Sequence, residues 1–555
     1  MSHDDTVSIG RRSLRVLGAA VLTAALTVAP ASAASAGGHG HGHGGGGKGD
    51  PCAKRANDTY AEVLECVTLK GVMGHLKAFQ KIADRSTDPN YPGTRAAGTK
   101  GYADSVKYVS GLLRKAGYKV TLDPFEFQFF FPVLLQQLTP TAATYGSGSF
   151  TNAPPGDVTG PVIPVDVNLT GDRATTSGCT ADDFSSLDFS GPNDIALIQR
   201  GGTLPDGSAC GFVVKARNAQ AAGAEAVIIF NQGNDPSRET LIVGTLGDDP
   251  GVTIPVVGAS FADGAALAAA GSTAHVRVQP PETRTDVNVI AELPGRNRNN
   301  IVMAGSHLDS VTEGPGINDN GSGSAAILET ALVLARSKPQ NTLRFAWWGA
   351  EEEGLLGSAA YVAELPQAEK DKIALYLNYD MVGSPNYIFQ VYDADESSFP
   401  APVVVPPGST AIEDLFESYY TWKKQPYDDA EFSGRSDYQA FIEAGIPSGG
   451  LFTGAEVVKT EEQAAIWGGT AGASFDPNYH QPGDTITNLN LKALEINSDL
   501  IAFAQLTYAF STESVNGVKG RPVPGKPIRL PAPAGPRGTF VTDGGHAPHD
   551  HDPSA

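Results

Sequence analysis

Cysteine is scarce, with four in 555 residues. That excludes a disulfide-rich scaffold. Cys52, Cys66, Cys179 and Cys210 show no CxxC spacing, which argues against a cysteine-ligated zinc site. Basic residues are also short: 40 Lys and Arg face 61 Asp and Glu, a formal charge of −21. So acidic a chain suits neither a phosphate backbone nor an anionic bilayer, so no nucleic acid and, for the mature form, no membrane is expected as a partner. After residue 29 no apolar run approaches the roughly 20 residues that a transmembrane helix needs. Charged residues are 18% and apolar residues 41%. That balance excludes wholesale disorder and leaves enough apolar surface for a sizeable core.

Residues 1–36 read as a bacterial export signal. Arg11, Arg12 and Arg15 precede an apolar stretch from Val16 to Ala29, and Ala31-Ser32-Ala33 and Ala34-Ser35-Ala36 offer cleavage sites. An uncleaved anchor is the alternative, but the stretch is short for one. The Arg11-Arg12 pair admits a twin-arginine route, though paired arginines also occur in ordinary signals. The mature protein is expected to be secreted, where disulfides persist. Four cysteines allow three connectivities. Cys52–Cys66 with Cys179–Cys210 is the natural one, because each bond closes a modest loop within one region.

The length predicts two to four domains at roughly 100–200 residues each. Residues 37–50 form a Gly/His tract read as a linker, with stray metal binding as the alternative. Residues 513–555, rich in Pro and Gly, read as a disordered tail. Between them, residues 51–131 and 282–512 look like two parts of one α/β domain. Lys100 to Gly117 has helical spacing, with Gly117 as its C-cap. Asn300–Gly305, Leu343–Trp348 and Ile373–Tyr379 read as buried strands, with a helix over Ser322–Ser337 between the first two. That alternation predicts a mixed, largely parallel sheet flanked by helices. Residues 132–281 have a different, β-rich texture, with a helix over Val213–Ala222 and a strand over Ala226–Phe230.

Outside signal, linker and tail the histidines are His75, His275, His307 and His480. His307 and Asp309 directly follow one strand, Glu351 and Glu352 another, and Asp380 a third. In open α/β sheets, ligands bind beyond the carboxyl ends of strands. Such carboxylates, gathered without compensation, would repel one another and raise their own pKa values. A dication removes that conflict, and zinc accepts both imidazole and carboxylate. With Asp319 in the loop before the helix, the donor set suits two zinc ions better than one, about 3.5–4 Å apart across a shared carboxylate.

Five segments occur in a characteristic order: Ser306-His307-Leu308-Asp309-Ser310, Asn318-Asp319-Asn320-Gly321-Ser322-Gly323, Ala346-Trp347-Trp348-Gly349-Ala350-Glu351-Glu352, Asn378-Tyr379-Asp380-Met381-Val382-Gly383 and Tyr479-His480. Together they resemble the exported bacterial dizinc, leucyl-type aminopeptidases. Residues 132–281 resemble the protease-associated domain inserted in such enzymes, through Asp194–Gly201, Val213–Phe230 and Thr253–Val257. The resemblance covers most of the chain between Cys52 and Thr512. It implies a zinc-exopeptidase-like α/β fold and hydrolysis of an N-terminal, large apolar residue from peptides or unfolded proteins. His307 and Asp380 would hold one zinc, Glu352 and His480 the other, and Asp319 both, with the peptide after Asp319 often cis. Glu351 would be the general base, and Asp309 would orient His307. Arg435, Tyr479 and Phe452 would contact substrate, Tyr479 at the oxyanion. Exported relatives leave room for a calcium ion, whose ligands the sequence does not place. Two features depart from the pattern: Tyr438 stands where a His is frequent, and no cysteine lies near His480. The competing readings are another metallo-exopeptidase on the same scaffold, carboxypeptidase- or dipeptidase-like, and a non-catalytic binding protein.

Overall fold

The computed structural model describes residues 51–537 apart from Asp249. The signal and linker readings, and the end of the tail from residue 538, lie outside the described residues.

Eight strands form the larger sheet. From edge to edge they run Lys119–Phe129, Glu282–Leu293, Asn341–Trp348, Asn297–His307, Ile373–Tyr379, Ser448–Phe452, Gln390–Tyr392 and Asp428–Ala430. Asn341–Trp348, Asn297–His307, Ile373–Tyr379 and Ser448–Phe452 are mutually parallel. The strands beside this parallel block, Glu282–Leu293 and Gln390–Tyr392, pair with it antiparallel.

The parallel strands read as continuous apolar runs because both of their faces are covered. Successive side chains alternate between two cores. Val302, Ala304, Leu375 and Leu377 enter one with helices Leu69–Arg85, Lys100–Ala116, Gly321–Leu334 and Leu491–Phe510. Met303, Ala346, Trp348 and Tyr376 enter the other with Tyr361 and Phe441.

Several boundaries move. The first parallel strand extends through His307. The helix predicted to reach Ser337 ends at Leu334, five residues before Pro339 restricts the backbone. Helix Lys100–Ala116 stops at Gly117, whose φ of 104° suits glycine.

Lys119–Phe129 pairs antiparallel along its whole length with Glu282–Leu293, with Phe129 opposite Glu282. The β-rich region therefore leaves and re-enters the sheet at neighbouring residues, which is how an insertion is accommodated without disturbing its host. Its own sheet has seven strands between Leu134 and Val278. Helix Phe212–Ala222 leads into strand Ala226–Phe230. The disulfides are Cys52–Cys66 and Cys179–Cys210.

The expectation of a disordered tail from residue 513 fails for residues 513–537. Glu513–Asn516 is a short helix, and Val523, Ile528 and Leu530 pack partly buried against the first core. Arg521 lies over the Phe510 ring at 5.0 Å. The N–H groups of Gly535 and Arg537 donate to the Tyr427 hydroxyl at 2.8 Å and its carbonyl at 3.0 Å. An extended strap needs no periodicity, only a few apolar anchors, so Pro and Gly in its sequence concealed it.

Candidate active site

The four parallel strands end on the same side. His307 closes the first, Glu351 and Glu352 follow Asn341–Trp348, Asp380 follows Ile373–Tyr379, and Phe452 closes Ser448–Phe452. Asp319 precedes helix Gly321–Leu334, and His480 arrives on a later loop.

Two triads of ligand-type atoms share one residue: His307, Asp319 and Asp380, and Asp319, Glu352 and His480. His307 Nε2 lies 3.2 Å from Asp319 Oδ1 and 3.4 Å from Asp380 Oδ1. His480 Nε2 lies 3.3 Å from Asp319 Oδ2 and 3.0 Å from Glu352 Oε2. Glu351 Oε2 lies 3.9 Å from His307 Nε2. His307 Nε2, Asp380 Oδ1 and Glu352 Oε1 are buried without a hydrogen-bond partner. Tetrahedral zinc with bonds of about 2.0–2.2 Å holds its ligand atoms roughly 3.4 Å apart. The donor set, the spacings and the orphaned atoms all fit a metal pair.

Electrostatics agree. Burial pushes the Glu351 carboxyl well above its ordinary range; His307 opposes this, while Asp380 and Glu352 add to it. Glu352 rises to about 7, through burial first and Asp319 next. Burial opposes charge on His480, but Glu352 and Asp319 outweigh it and raise the imidazole to about 11. Burial also pushes against ionisation of Asp319, yet the contacts to His307 and His480 hold its carboxyl below the usual range. Glu351 and Glu352 thus carry the cost of neighbouring like charge, which a bound cation would relieve.

The surrounding shell fixes these groups. Asp309, fully buried, has Oδ1 3.6 Å from His307 Nδ1. Its two oxygens accept from the N–H groups of Glu351 and Glu352, both at 3.3 Å. The Asp319–Asn320 peptide is cis. Asn320 caps the helix by accepting from Gly323 N–H at 3.0 Å, and its amide donates to Tyr379 carbonyl at 3.0 Å. At Gly323 an added Cβ would sit 2.1 Å from that same carbonyl, so only glycine lets helix and strand approach so closely. Ala350, Met381 and His480 have φ of 52°, 47° and 54°, beside or at ligand-type residues. Such left-handed conformations gather where surroundings over-determine the backbone.

A cavity of about 650 Å³ opens from these groups. Arg435, Tyr479 and Phe452 all line it, with Met381, Val457 and Phe475. Arg435 donates to Glu456 at 2.8 Å and to the Tyr479 hydroxyl at 3.2 Å. Tyr438 is buried, and its hydroxyl accepts from Gly434 N–H at 2.8 Å, which supports the Arg435 loop.

Sequence reasoning missed four contributors. Ser436 donates to Asp380 Oδ2 at 2.6 Å and accepts from Asn378 at 2.9 Å; it adjoins Arg435, and that adjacency was its only signal. Asp484, four residues after His480, accepts from the N–H groups of Asn318 at 2.8 Å and Asp319 at 3.0 Å. Asn320 was quoted only as a turn residue. Arg95, fully buried, donates to the carbonyls of Leu308, Pro315 and Gly316, in the single loop that links His307 to Asp319. Nothing local in the sequence marks Arg95.

Imidazoles and carboxylates paired across a shared aspartate, at strand ends beside a deep cavity, define a metal-dependent hydrolase. The profile of peptidase family M28 matches residues 288–505, and that of the PA domain residues 158–267. An aminopeptidase of Pseudomonas aeruginosa is 46% identical over 460 residues, covering 81% of this chain and 83% of the relative. Leucine aminopeptidase 2 of Trichophyton tonsurans is 38% identical, covering 83% and 87%. Among solved structures, the zinc aminopeptidase of Bacillus subtilis aligns at TM-score 0.56 and 25% identity, covering 81% of this chain and 97% of that one. The chain belongs to peptidase family M28, with a PA domain inserted in it.

Proposed function

We propose that this chain, a zinc metallo-aminopeptidase by its family and relatives, works with two zinc ions and removes a large apolar N-terminal residue from peptides or unfolded proteins outside the cell. The sharing of Asp319 between two ligand-type triads carries the reading. His307 and Asp380 would hold one ion, Glu352 and His480 the other, and Asp319 both. Bound zinc would supply Lewis acidity, activating water and polarising the scissile carbonyl.

The chain's own groups do the rest. Glu351 takes the proton of the attacking water and hands it to the leaving amine; its raised affinity for protons suits both halves of that task. Asp309 fixes the ring of His307. The Tyr479 hydroxyl donates to the oxyanion as it develops. Met381, Phe452, Val457 and Phe475 give the cavity apolar walls that favour a bulky side chain, in keeping with the name leucine aminopeptidase 2 of the fungal relatives. The signal-like residues 1–36, the two disulfides and the name of a probable lipoprotein aminopeptidase relative of Mycobacterium tuberculosis support an exported protein. Among the described residues no helix is long and apolar enough to cross a membrane.

The test is Glu351→Gln on zinc-loaded enzyme. Turnover of leucyl p-nitroanilide falls by about 10²–10⁴-fold, the scale of a general base, while zinc stays near two per chain. Unchanged turnover removes Glu351 from the role, and one zinc per chain removes the pair. N-acetylation of the substrate abolishes cleavage; if it does not, the enzyme is no aminopeptidase.

A further inference from the structure

A second group of carboxylates lies apart from the zinc-type triads. Asp393 and Asp395 follow strand Gln390–Tyr392, Glu413 and Glu417 stand one turn apart on helix Ser409–Trp422, and Asp429 lies on strand Asp428–Ala430. Ligand-type oxygens of Asp393, Asp395 and Glu413 lie within 4.8 Å of one another, and so do those of Glu413, Glu417 and Asp429, so Glu413 joins the two sets. All but Asp395 are buried.

Acidic side chains gathered on a surface need no explanation, but four of these five are buried. Glu417 is only 7% exposed, faces Glu413 and Asp429, and has neither hydrogen bond nor ion pair among the described residues. Asp429 is 2% exposed, and its Oδ1 has no partner, although its other oxygen accepts from Ser398. No lysine or arginine forms an ion pair with the group among the described residues. Besides burial, the strongest influences on Glu413 are Asp395, Glu417, Asp393 and Asp429, all of one sign; its carboxyl rises to about 9 and that of Glu417 to about 8. Buried like charges stay together only with protons or a cation between them.

The chemistry of the donors selects the cation. All are oxygens, with no nitrogen or sulfur to favour zinc. They come from a loop, a helix and a strand, an irregular set suited to the 6–8 oxygens that calcium accepts and not to the strict octahedron of magnesium. The loop is already folded around its acids. Asp393 accepts from the N–H groups of Ser397, Ser398 and Phe399 at 2.9, 2.9 and 2.7 Å. Glu413 accepts from those of Ala394 at 3.2 Å and Asp395 at 3.0 Å. Both Asp429 and Phe399 line the substrate cavity.

We propose that Asp393, Asp395, Glu413, Glu417 and Asp429 form a calcium site, separate from the zinc pair, that fixes the Asp393–Phe399 loop at the wall of the substrate cavity. The site does not depend on the two-zinc reading, and its test leaves that reading untouched. Full-length, zinc-loaded enzyme in calcium-free buffer is titrated with Ca²⁺ by calorimetry, and its Tm is followed by differential scanning calorimetry. Calcium should bind one per chain and raise Tm, and equimolar Mg²⁺ should do neither. Glu417→Gln, which keeps shape and removes charge, should weaken calcium at least tenfold with zinc content unchanged. Wild type without calcium heat or Tm shift overturns the proposal, because the acids are then held by shared protons; so does Glu417→Gln that binds calcium as wild type does. Should Glu417→Gln fail to fold, Tb³⁺ luminescence of wild type, excited through nearby tyrosines, decides: displacement by Ca²⁺ supports the site and absence of emission overturns it. Hydrolysis and zinc content measured in the same samples report separately on the aminopeptidase reading.

Discussion

Asp309 meets the site at three points. It stands 3.6 Å from His307 Nδ1 and accepts from the backbone of Glu351 and Glu352, so one carboxylate faces an imidazole and anchors the turn that carries both glutamates. Asp309→Asn keeps the volume but replaces one acceptor oxygen with an N–H group, which then faces either the imidazole or a backbone N–H. Loss of such a partner ordinarily costs about 10–100-fold in metal affinity or activity. We therefore expect kcat to fall by about that factor and zinc to leave faster on dialysis, with KM little changed; wild-type kcat and zinc retention would show that Asp309 only fills space. Asp309 was legible because it follows a strand by two residues, as were His307, Glu351, Glu352 and Asp380 at strand ends. Arg95 was not. Its guanidinium reaches three carbonyls more than 200 positions away in sequence, a relation that only the tertiary fold creates. Ser436 and Asp484 lie between these extremes, beside noticed residues but with ordinary identities.

Elements with one buried face were read by their periodicity and the parallel strands by their unbroken apolar runs, but the longest helix carries neither mark. Helix Lys100–Ala116 alternates buried and exposed residues, and its Gly117 cap completes the pattern. Helix Leu491–Phe510 is buried on nearly every side, so no stripe marks it. Helix Phe212–Ala222 in the insert was found by its Gly223 stop, but it carries a charge that no pattern explains. Lys215, fully buried, donates to the carbonyls of Ser177 and, at 3.1 Å, Gln199. Burial lowers its pKa to about 8, against an ordinary 10.5. Between those pH values the unfolded chain keeps a proton that the folded chain has released, so stability rises with pH through that window, and below about 8 the full cost of the buried charge is present. Lys215→Met has no such group. Measured by denaturant unfolding, wild type should gain on Lys215→Met as pH rises from 8 to 10.5; a constant difference would mean that Lys215 keeps its ordinary pKa in the fold.

At the scale of the molecule, residues 513–537 are either a loose extension or part of the fold. Composition pointed to the first, because Pro and Gly exclude regular elements and no apolar period appears. Packing points to the second. Val515 is buried, and Val523, Ile528 and Leu530 cover the helical core that includes Leu491–Phe510. Beyond them, the strap ends in hydrogen bonds to Tyr427, next to the strand that carries Asp429. Full burial of an aliphatic side chain contributes about 1.5–3 kcal/mol, and these are mostly half-buried, so ending the chain at Thr512 should cost on the order of a few kcal/mol. None of the four lines the cavity. Zinc-loaded enzyme ended at Thr512 should therefore melt several degrees lower while its kcat/KM for leucyl p-nitroanilide, measured well below that Tm, stays within about twofold. An unchanged Tm would return residues 513–537 to the status of a passive tail, and a large loss of activity at low temperature would mean that the strap shapes the cavity through Tyr427 and its strand.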